Sequence, residues 1–182
     1  AGLGGGSSDA AAMLRIMQMM HPVVLPQNRL TAMAAQLGSD VPFFLVSPSA
    51  LVAGRGEIIE PIVTPVQYSC VVVKPEFDIS TGLAYRKLDA FEGEKDNSLS
   101  LQEIHNYYQQ TPKKWKFFNS FTEVLIEEYP QIQAFLQLLK SCGADYANVS
   151  GSGSALFGVF RDLEAAESCY SLLKKDIKKV WK

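Results

Sequence analysis

Gly2-Leu3-Gly4-Gly5-Gly6-Ser7-Ser8-Asp9, running straight into Ala10 to Met20, is the stretch whose reading decides the fold. Glycines let the backbone bend until successive N–H groups point into one concavity. The segment that follows is rich in strong helix formers, with apolar residues on most sides. It predicts a helix over about 10–20 that is well buried, with Ser7, Ser8 and Asp9 as N-cap candidates and His21-Pro22 as its end. A helix N-terminus carries unpaired N–H groups and the positive end of the helix dipole, so the turn is suited to a polyphosphate. Ser7 and Ser8 add hydroxyls that can bond phosphate or join a magnesium shell. A flexible linker would not run into a capped, strongly helical segment. The turn is not a P-loop, because no lysine lies near it. It is not a dinucleotide fingerprint either, because Ser7 stands where the last glycine belongs.

Outward from the turn, Pro26 to Asn28 opens a second helix, Arg29 to Leu37, which stops at Gly38. Ser39-Asp40-Val41-Pro42 reads as a tight connection, and Phe43 to Val46 and Ala50 to Ala53 as strand segments. Gly54-Arg55-Gly56 is a hairpin turn into Glu57 to Ile62. Thr64-Pro65-Val66 resembles a linker and marks a boundary between residues 1–65 and 66–182. Beyond it, Tyr68 to Val73 predicts a buried strand, and Ser80-Thr81 caps a helix through Leu88. Phe91 to Ser98 predicts a polar loop. Helices are expected over about Leu99–Gln109, Phe121–Glu128 and from Pro130 to Ser141. Strands Ala147–Ser150 and Ala155–Phe160 flank a second small-residue turn, Gly151-Ser152-Gly153-Ser154. Asp162 caps a last helix to about Lys175, and Ile177 to Trp181 predicts a closing strand. The second half thus alternates strands and helices in an α+β pattern.

The 182 residues suffice for one medium domain or two small ones. The net charge of −2 gives no polyanion-binding surface, and Lys174-Lys175 with Lys178-Lys179 read as a solvated helix face. Cys70, Cys142 and Cys169 fit no metal spacing and read as buried small apolar residues in a reducing, cytoplasmic compartment. No apolar run reaches the ~18 residues that span a membrane. Met17, Met19 and Met20, and the pair Phe117-Phe118, read as core. His21 and His105 read as surface or capping residues.

Two further features carry chemistry. Asp40, in Gly38-Ser39-Asp40-Val41-Pro42-Phe43, is either a helix cap or a carboxylate that accepts or orients a hydroxyl proton. Its local sequence alone favours the cap. The turn Gly151 to Ser154 lets backbone approach a ligand closely, but a plain hairpin fits it equally well.

Taken in order, these features resemble the GHMP kinase superfamily. Gly2 to Ser8 resembles its central phosphate motif and Ser150-Gly151-Ser152-Gly153 its C-terminal glycine motif. The more particular resemblance is to the 4-diphosphocytidyl-2-C-methyl-D-erythritol kinase family. It rests on Gly2 to Ala11, Leu37 to Phe44, Gly54 to Glu57, Lys74-Pro75, Ile79 to Tyr85, and Asn119 before a long helix. The resemblance implies an α+β GHMP architecture: the remainder of a ribosomal protein S5 domain 2-like, ATP-binding N-terminal domain over 1–65, and a ferredoxin-like C-terminal domain over 66–182. It implies ATP and Mg2+ as cofactors. Ala1, Gly2, Leu3, Gly4, Gly5, Gly6, Ser7, Ser8, Gly151, Ser152 and Gly153 would lie around the nucleotide, and Ser8 on the metal. Asp40 becomes the catalytic carboxylate, and Ser80 and Thr81 border the substrate.

The resemblance also implies phosphorylation of the 2-hydroxyl of a diphosphocytidyl methylerythritol in non-mevalonate isoprenoid synthesis. Homoserine or mevalonate kinase activity is the alternative enzyme reading, and a non-catalytic binding module the alternative class. The family's strand and catalytic lysine precede its glycine loop. They are absent ahead of Gly2, and Lys74 lies in the wrong motif to replace them. An N-terminal piece is therefore expected to be missing and this chain alone to be inactive or nearly so. The surface so exposed is expected to be covered by that missing chain or by a homodimer partner.

Overall fold

The computed structural model describes residues 2–22, 24–64, 68–91, 99–177 and 179–182. Most of the predicted 91–98 loop and the Pro65-Val66 step lie outside them. The chain divides into two compact units, Gly4–Pro65 and Val66–Lys182, the latter joined by Ala1–Leu3.

In the Gly4–Pro65 unit, α1 (Gly5–Met20), α2 (Gln27–Leu37) and α3 (Val41–Val46) precede a hairpin of β1 (Ala50–Ala53) and β2 (Ile58–Pro61). The hairpin is antiparallel and pairs Ala50 with Pro61 and Ala53 with Ile58. The core is small: Ala11 and Leu14 of α1 meet Leu30 and Ala34 of α2 and Val41 and Leu45 of α3. Residues three and four apart share a helix face, so these buried positions define one face per helix.

Three expectations for this unit change. First, α1 starts at Gly5, not after Asp9, and its N-cap is Gly4 in a left-handed conformation, φ 63°. Ser8 instead donates its Oγ hydrogen back to Gly5 O, 2.8 Å. Second, α1 is buried on one side only. Its second apolar stripe, at Met13, Ile16, Met17 and Met20, is exposed, as is Met19. The methionine cluster is therefore not core. Third, Phe43 to Val46 is helical rather than extended. Pro42 sits in the first turn of α3, where a missing N–H costs nothing. At the other end, the Arg15 guanidinium donates to Phe44 O at 2.9 Å and Leu45 O at 3.2 Å, satisfying carbonyls that a six-residue helix leaves open.

In the Val66–Lys182 unit, four antiparallel strands stand in the order β4-β5-β3-β6: β3 (Ser69–Val73), β4 (Tyr146–Val149), β5 (Leu156–Phe160) and β6 (Val180–Trp181). Between β3 and β4 run α4 (Thr81–Ala90), α5 (Leu101–Tyr108), α6 (Phe121–Glu128) and α7 (Gln131–Ser141), and α8 (Leu163–Asp176) links β5 to β6. Helix α7 packs on β4 and β5, and α8 on β3 and β6. This strand order with two crossover helices is the ferredoxin-like arrangement, and the molecule is α+β. In β3, Val71 and Val73 are fully buried while Cys70 before them is exposed and Val72 between them half-buried, the alternation of a pleated strand. They join Ile132, Leu136 and Leu139 of α7, Leu156 and Phe160 of β5, and Cys169 and Leu173 of α8 in one core.

Of the three cysteines only Cys169 is buried. Cys142 is half-buried and Cys70 exposed, which corrects the expectation that all three are core. Phe118 is exposed and Phe117 half-buried, so that pair borders the core rather than filling it. Helix α5 opens with a capping box in which Ser100 and Glu103 bond each other's backbone N–H.

Candidate functional site

In the Gly4–Pro65 unit, the N-terminus of α1 is a bare rim of amides. Left-handed Gly4 turns the chain into the helix, and the Phe44 ring lies so close that a Cβ there would sit 2.8 Å from its edge. Beyond it, a Cβ on Gly5 or Gly6 would meet nothing within 4 Å, so open space faces the first helical turn. Open space at a helix N-terminus leaves its amides accessible to a polyphosphate. Ser8, though it donates to Gly5 O, keeps acceptor lone pairs on its hydroxyl oxygen for a cation. Among the described residues no cluster of three or more His, Cys, Asp or Glu could hold a metal by itself. The donor set therefore suits Mg2+ arriving with phosphates, which needs only one or two protein oxygens.

Asp40 is the N-cap residue of α3 by position, yet its carboxylate makes no capping bond. It is exposed and stands one helical turn before Phe44, the residue that packs on Gly4. The carboxylate thus does not serve as a side-chain cap of α3.

The G-x-G-E hairpin explains how Asp40 is held. Gly54 is left-handed, and a Cβ there would lie 2.3 Å from Glu57 Oε1. The space goes to the Glu57 carboxylate, which folds back to accept the Arg55 N–H at 2.6 Å. Gly56, φ 108°, presses on the backbone of Ser39, whose carbonyl oxygen a Cβ would approach to 2.0 Å. The hairpin tip thus abuts the residue before Asp40.

In the other unit, Gly2 (φ 88°) lies against the second glycine turn: a Cβ on it would sit 3.0 Å from both Ser150 O and Gly153 O. Ser150 Oγ donates to Gly2 O. The structure therefore brings Gly2 to the 150–153 turn. Ser152 Oγ stands 3.1 Å from Thr81 Oγ1 at the start of α4, which joins that turn to one expected substrate-side residue. Ser80 is the N-cap of α4 but its hydroxyl makes no capping bond. Ala1 lies outside the described residues. Asp40 and Gly4 to Ser8 belong to one unit, and Gly2, Leu3, Ser80, Thr81 and Gly151 to Gly153 to the other.

Two residues given no role by sequence reasoning brace this second group. Asn119 donates its amide to Val149 O at 3.0 Å and Gly151 O at 2.8 Å, while its Oδ1 accepts from Phe121 N at 2.9 Å. One side chain thereby ties the glycine turn to the start of α6. Lys74, only 8% exposed, bonds three oxygens of the segment that leads to Ser80. Its ammonium holds the Asp78 carboxyl below the usual aspartate range. A cavity of about 740 Å³ elsewhere in this unit lies among Trp115, Phe117, Tyr146, Asn148, Gln137 and Lys140. None of the residues expected to bind nucleotide or substrate lines it.

Family comparison agrees with the fold. The family model described as GHMP kinases N terminal domain matches residues 1–47, and that described as GHMP kinases C terminal matches residues 100–179. The chain belongs to the GHMP kinase family. Among its relatives are proteins named 4-diphosphocytidyl-2-C-methyl-D-erythritol kinase. That of Thermodesulfovibrio yellowstonii is 36% identical over 92% of this chain and 60% of its own length. That of Solibacter usitatus is 39% identical over 97% of this chain and 57% of its own. A crystal structure of 4-(cytidine 5'-diphospho)-2C-methyl-D-erythritol kinase superposes with a TM-score of 0.78 at 30% identity, covering 100% of this chain and 65% of that one. A mevalonate kinase from L. major, bound to R-mevalonate, shares the fold alone, at a TM-score of 0.65 and 12% identity. The chain thus spans about three fifths of the length of the relatives it matches. Among the described residues no helix is long and apolar enough to cross a membrane.

Proposed function

We propose that this chain is part of an ATP-dependent kinase that phosphorylates the 2-hydroxyl of 4-diphosphocytidyl-2-C-methyl-D-erythritol, a step of non-mevalonate isoprenoid synthesis in the cytoplasm. The observation that carries the reading is the conjunction, in one ordered sequence, of an open amide rim at α1 and an unengaged Asp40 held by the Gly54–Glu57 hairpin. The names of the relatives support the choice of substrate. In this reading residues 1–65 belong to the ATP-binding domain and 66–182 to the C-terminal domain.

Phosphoryl transfer is mainly positioning and charge stabilisation. The amides of Gly4 to Ser7, at the positive end of α1, hold phosphate oxygens. Ser8 would supply an oxygen to Mg2+, and the chemistry that ion would add is neutralisation of charge on the phosphates. Asp40 orients the attacking hydroxyl and accepts its proton. The turn Gly151 to Gly153 borders the nucleotide, and Ser80 and Thr81 border the alcohol. The test is a substrate panel with MgATP. The intact kinase of which this chain is part is expected to phosphorylate the diphosphocytidyl alcohol and to leave mevalonate and homoserine untouched, and this chain alone to be inactive or nearly so. Asp40→Asn is expected to lower turnover by about 10²–10⁴-fold, the usual contribution of proton transfer by a positioned group. Equal activity on mevalonate, or an Asp40→Asn variant within twofold of wild type, refutes the reading.

A further inference from the structure

Lys74 follows directly on β3 and is 8% exposed. Burying an ammonium is costly unless every donor is used. Here Nζ donates to Pro75 O at 3.0 Å, to Phe77 O at 3.0 Å and to Asp78 Oδ1 at 2.9 Å. All three acceptors lie in one loop, so the cation shapes that loop and nothing else. The Phe77 carbonyl takes a second bond from Ser154 Oγ, 2.8 Å, a fully buried hydroxyl at the end of the second glycine turn. The Phe77 ring stacks on Tyr129 at 5.0 Å. Two residues further on, buried Ile79 anchors the chain, and then Thr81 meets Ser152 at 3.1 Å. Residues 75–81 are therefore fastened at two points to the 150–154 turn, and Lys74 pins the bend between β3 and the first of them.

A buried apolar side chain would serve stability alone at least as well as a buried charge does. What the ammonium adds is direction: it gathers three oxygens of one bend. We infer that Lys74 is a positioning residue that sets the Phe77–Thr81 segment, the substrate side of the site, against the turn that borders the nucleotide. This rests on the function proposed above.

The test is Lys74→Met in the full chain, read by hydrogen exchange and by ligand titration. Amides of 76–82 are expected to lose about tenfold or more of their protection while those of α7 and α8 keep theirs, as for loss of a charged hydrogen bond. Affinity for 4-diphosphocytidyl-2-C-methyl-D-erythritol is expected to fall about tenfold and that for MgATP to stay within about twofold. Ser154→Ala, which removes only the second donor to Phe77 O, is expected to give the same local pattern to a smaller degree, and serves if Lys74→Met does not fold. Unchanged exchange in 76–82 overturns the inference. So does faster exchange spread equally over α7 and α8, or local loosening with unchanged affinity for the alcohol. Failure of the wild-type chain to bind either ligand instead overturns the proposed function, while the exchange result still decides whether Lys74 holds the bend.

Discussion

Gly56→Ala probes the support beneath Asp40. At φ 108° the backbone is one that L side chains rarely adopt, and forcing alanine into it costs about 1–3 kcal/mol. The added Cβ would also stand 2.0 Å from Ser39 O and 2.8 Å from its carbonyl carbon. Ordinary contact begins near 3.4 Å, so the two backbones must part by 3.4 − 2.0 = 1.4 Å. Overpacking of this kind adds about 1–3 kcal/mol. The sum is a loss of about 2–6 kcal/mol from the Gly4–Pro65 unit, felt first at the residue next to Asp40. Both tryptophans lie in the other unit, so far-UV circular dichroism and hydrogen exchange of α1 to α3 are the appropriate assays. Turnover by the kinase should fall about 10²-fold, as for a misplacement of about 1 Å. Gly38→Ala is the control: its backbone is extended, φ 170°, and its Cβ would meet Val41 Cγ2 at an ordinary 3.5 Å. It should leave stability within about 1 kcal/mol of wild type. A Gly56→Ala chain as stable as wild type, with unchanged exchange around residues 38–42, refutes the reasoning.

Asn119→Ala removes two bonds to the backbone of the second glycine turn and one from Phe121, and should cost about 1–3 kcal/mol in urea unfolding followed by tryptophan fluorescence. A change below about 0.5 kcal/mol counts against its bracing role. Burial, with the Cys142 thiol beside it, pushes the Cys169 thiol up to about 12. The thiolate is the reactive form, so labelling of Cys169 by a maleimide at neutral pH should track unfolding of the Val66–Lys182 unit, and rapid labelling of the native chain contradicts its placement. The lowered Asp78 pKa means that its pairing with Lys74 stabilises the fold above the ordinary aspartate range, and that this contribution is lost as pH falls through the lowered value. Asp78→Asn should therefore flatten the acid limb of the stability curve below about pH 4, and an unchanged acid limb speaks against the pairing.

What the sequence made legible follows from how local each cause is. Helix α7 and the β1–β2 hairpin are written in Pro130 and the Gly54–Gly56 turn, both within a few residues. The misreading of Phe43 to Val46 has a distant cause: the helix is finished by Arg15, 29 residues away in sequence. Four apolar residues in a row read as strand until that guanidinium is seen. The exposure of Met13, Ile16, Met17 and Met20 was hidden for a similar reason, since periodicity shows that a stripe is apolar but not what lies against it. For the candidate site, the glycine turns were legible because their conformations are glycine's own. The roles of Lys74 and Asn119 were not, because each acts through carbonyl oxygens, which every residue has and no pattern marks. The meaning of Gly56 likewise depends on Ser39, 17 residues away.

The central claim is that the open amide rim of α1 holds nucleotide phosphates. Its most direct test is an amide-resolved NMR titration of the chain with the magnesium complex of a non-hydrolysable ATP analogue. The account predicts saturable shifts concentrated at Gly4 to Ser8, extending to Gly2 and Gly151 to Gly153, and dependent on magnesium. Shifts confined to the cavity beside Trp115 and Tyr146, or none at the rim at millimolar analogue, would contradict it.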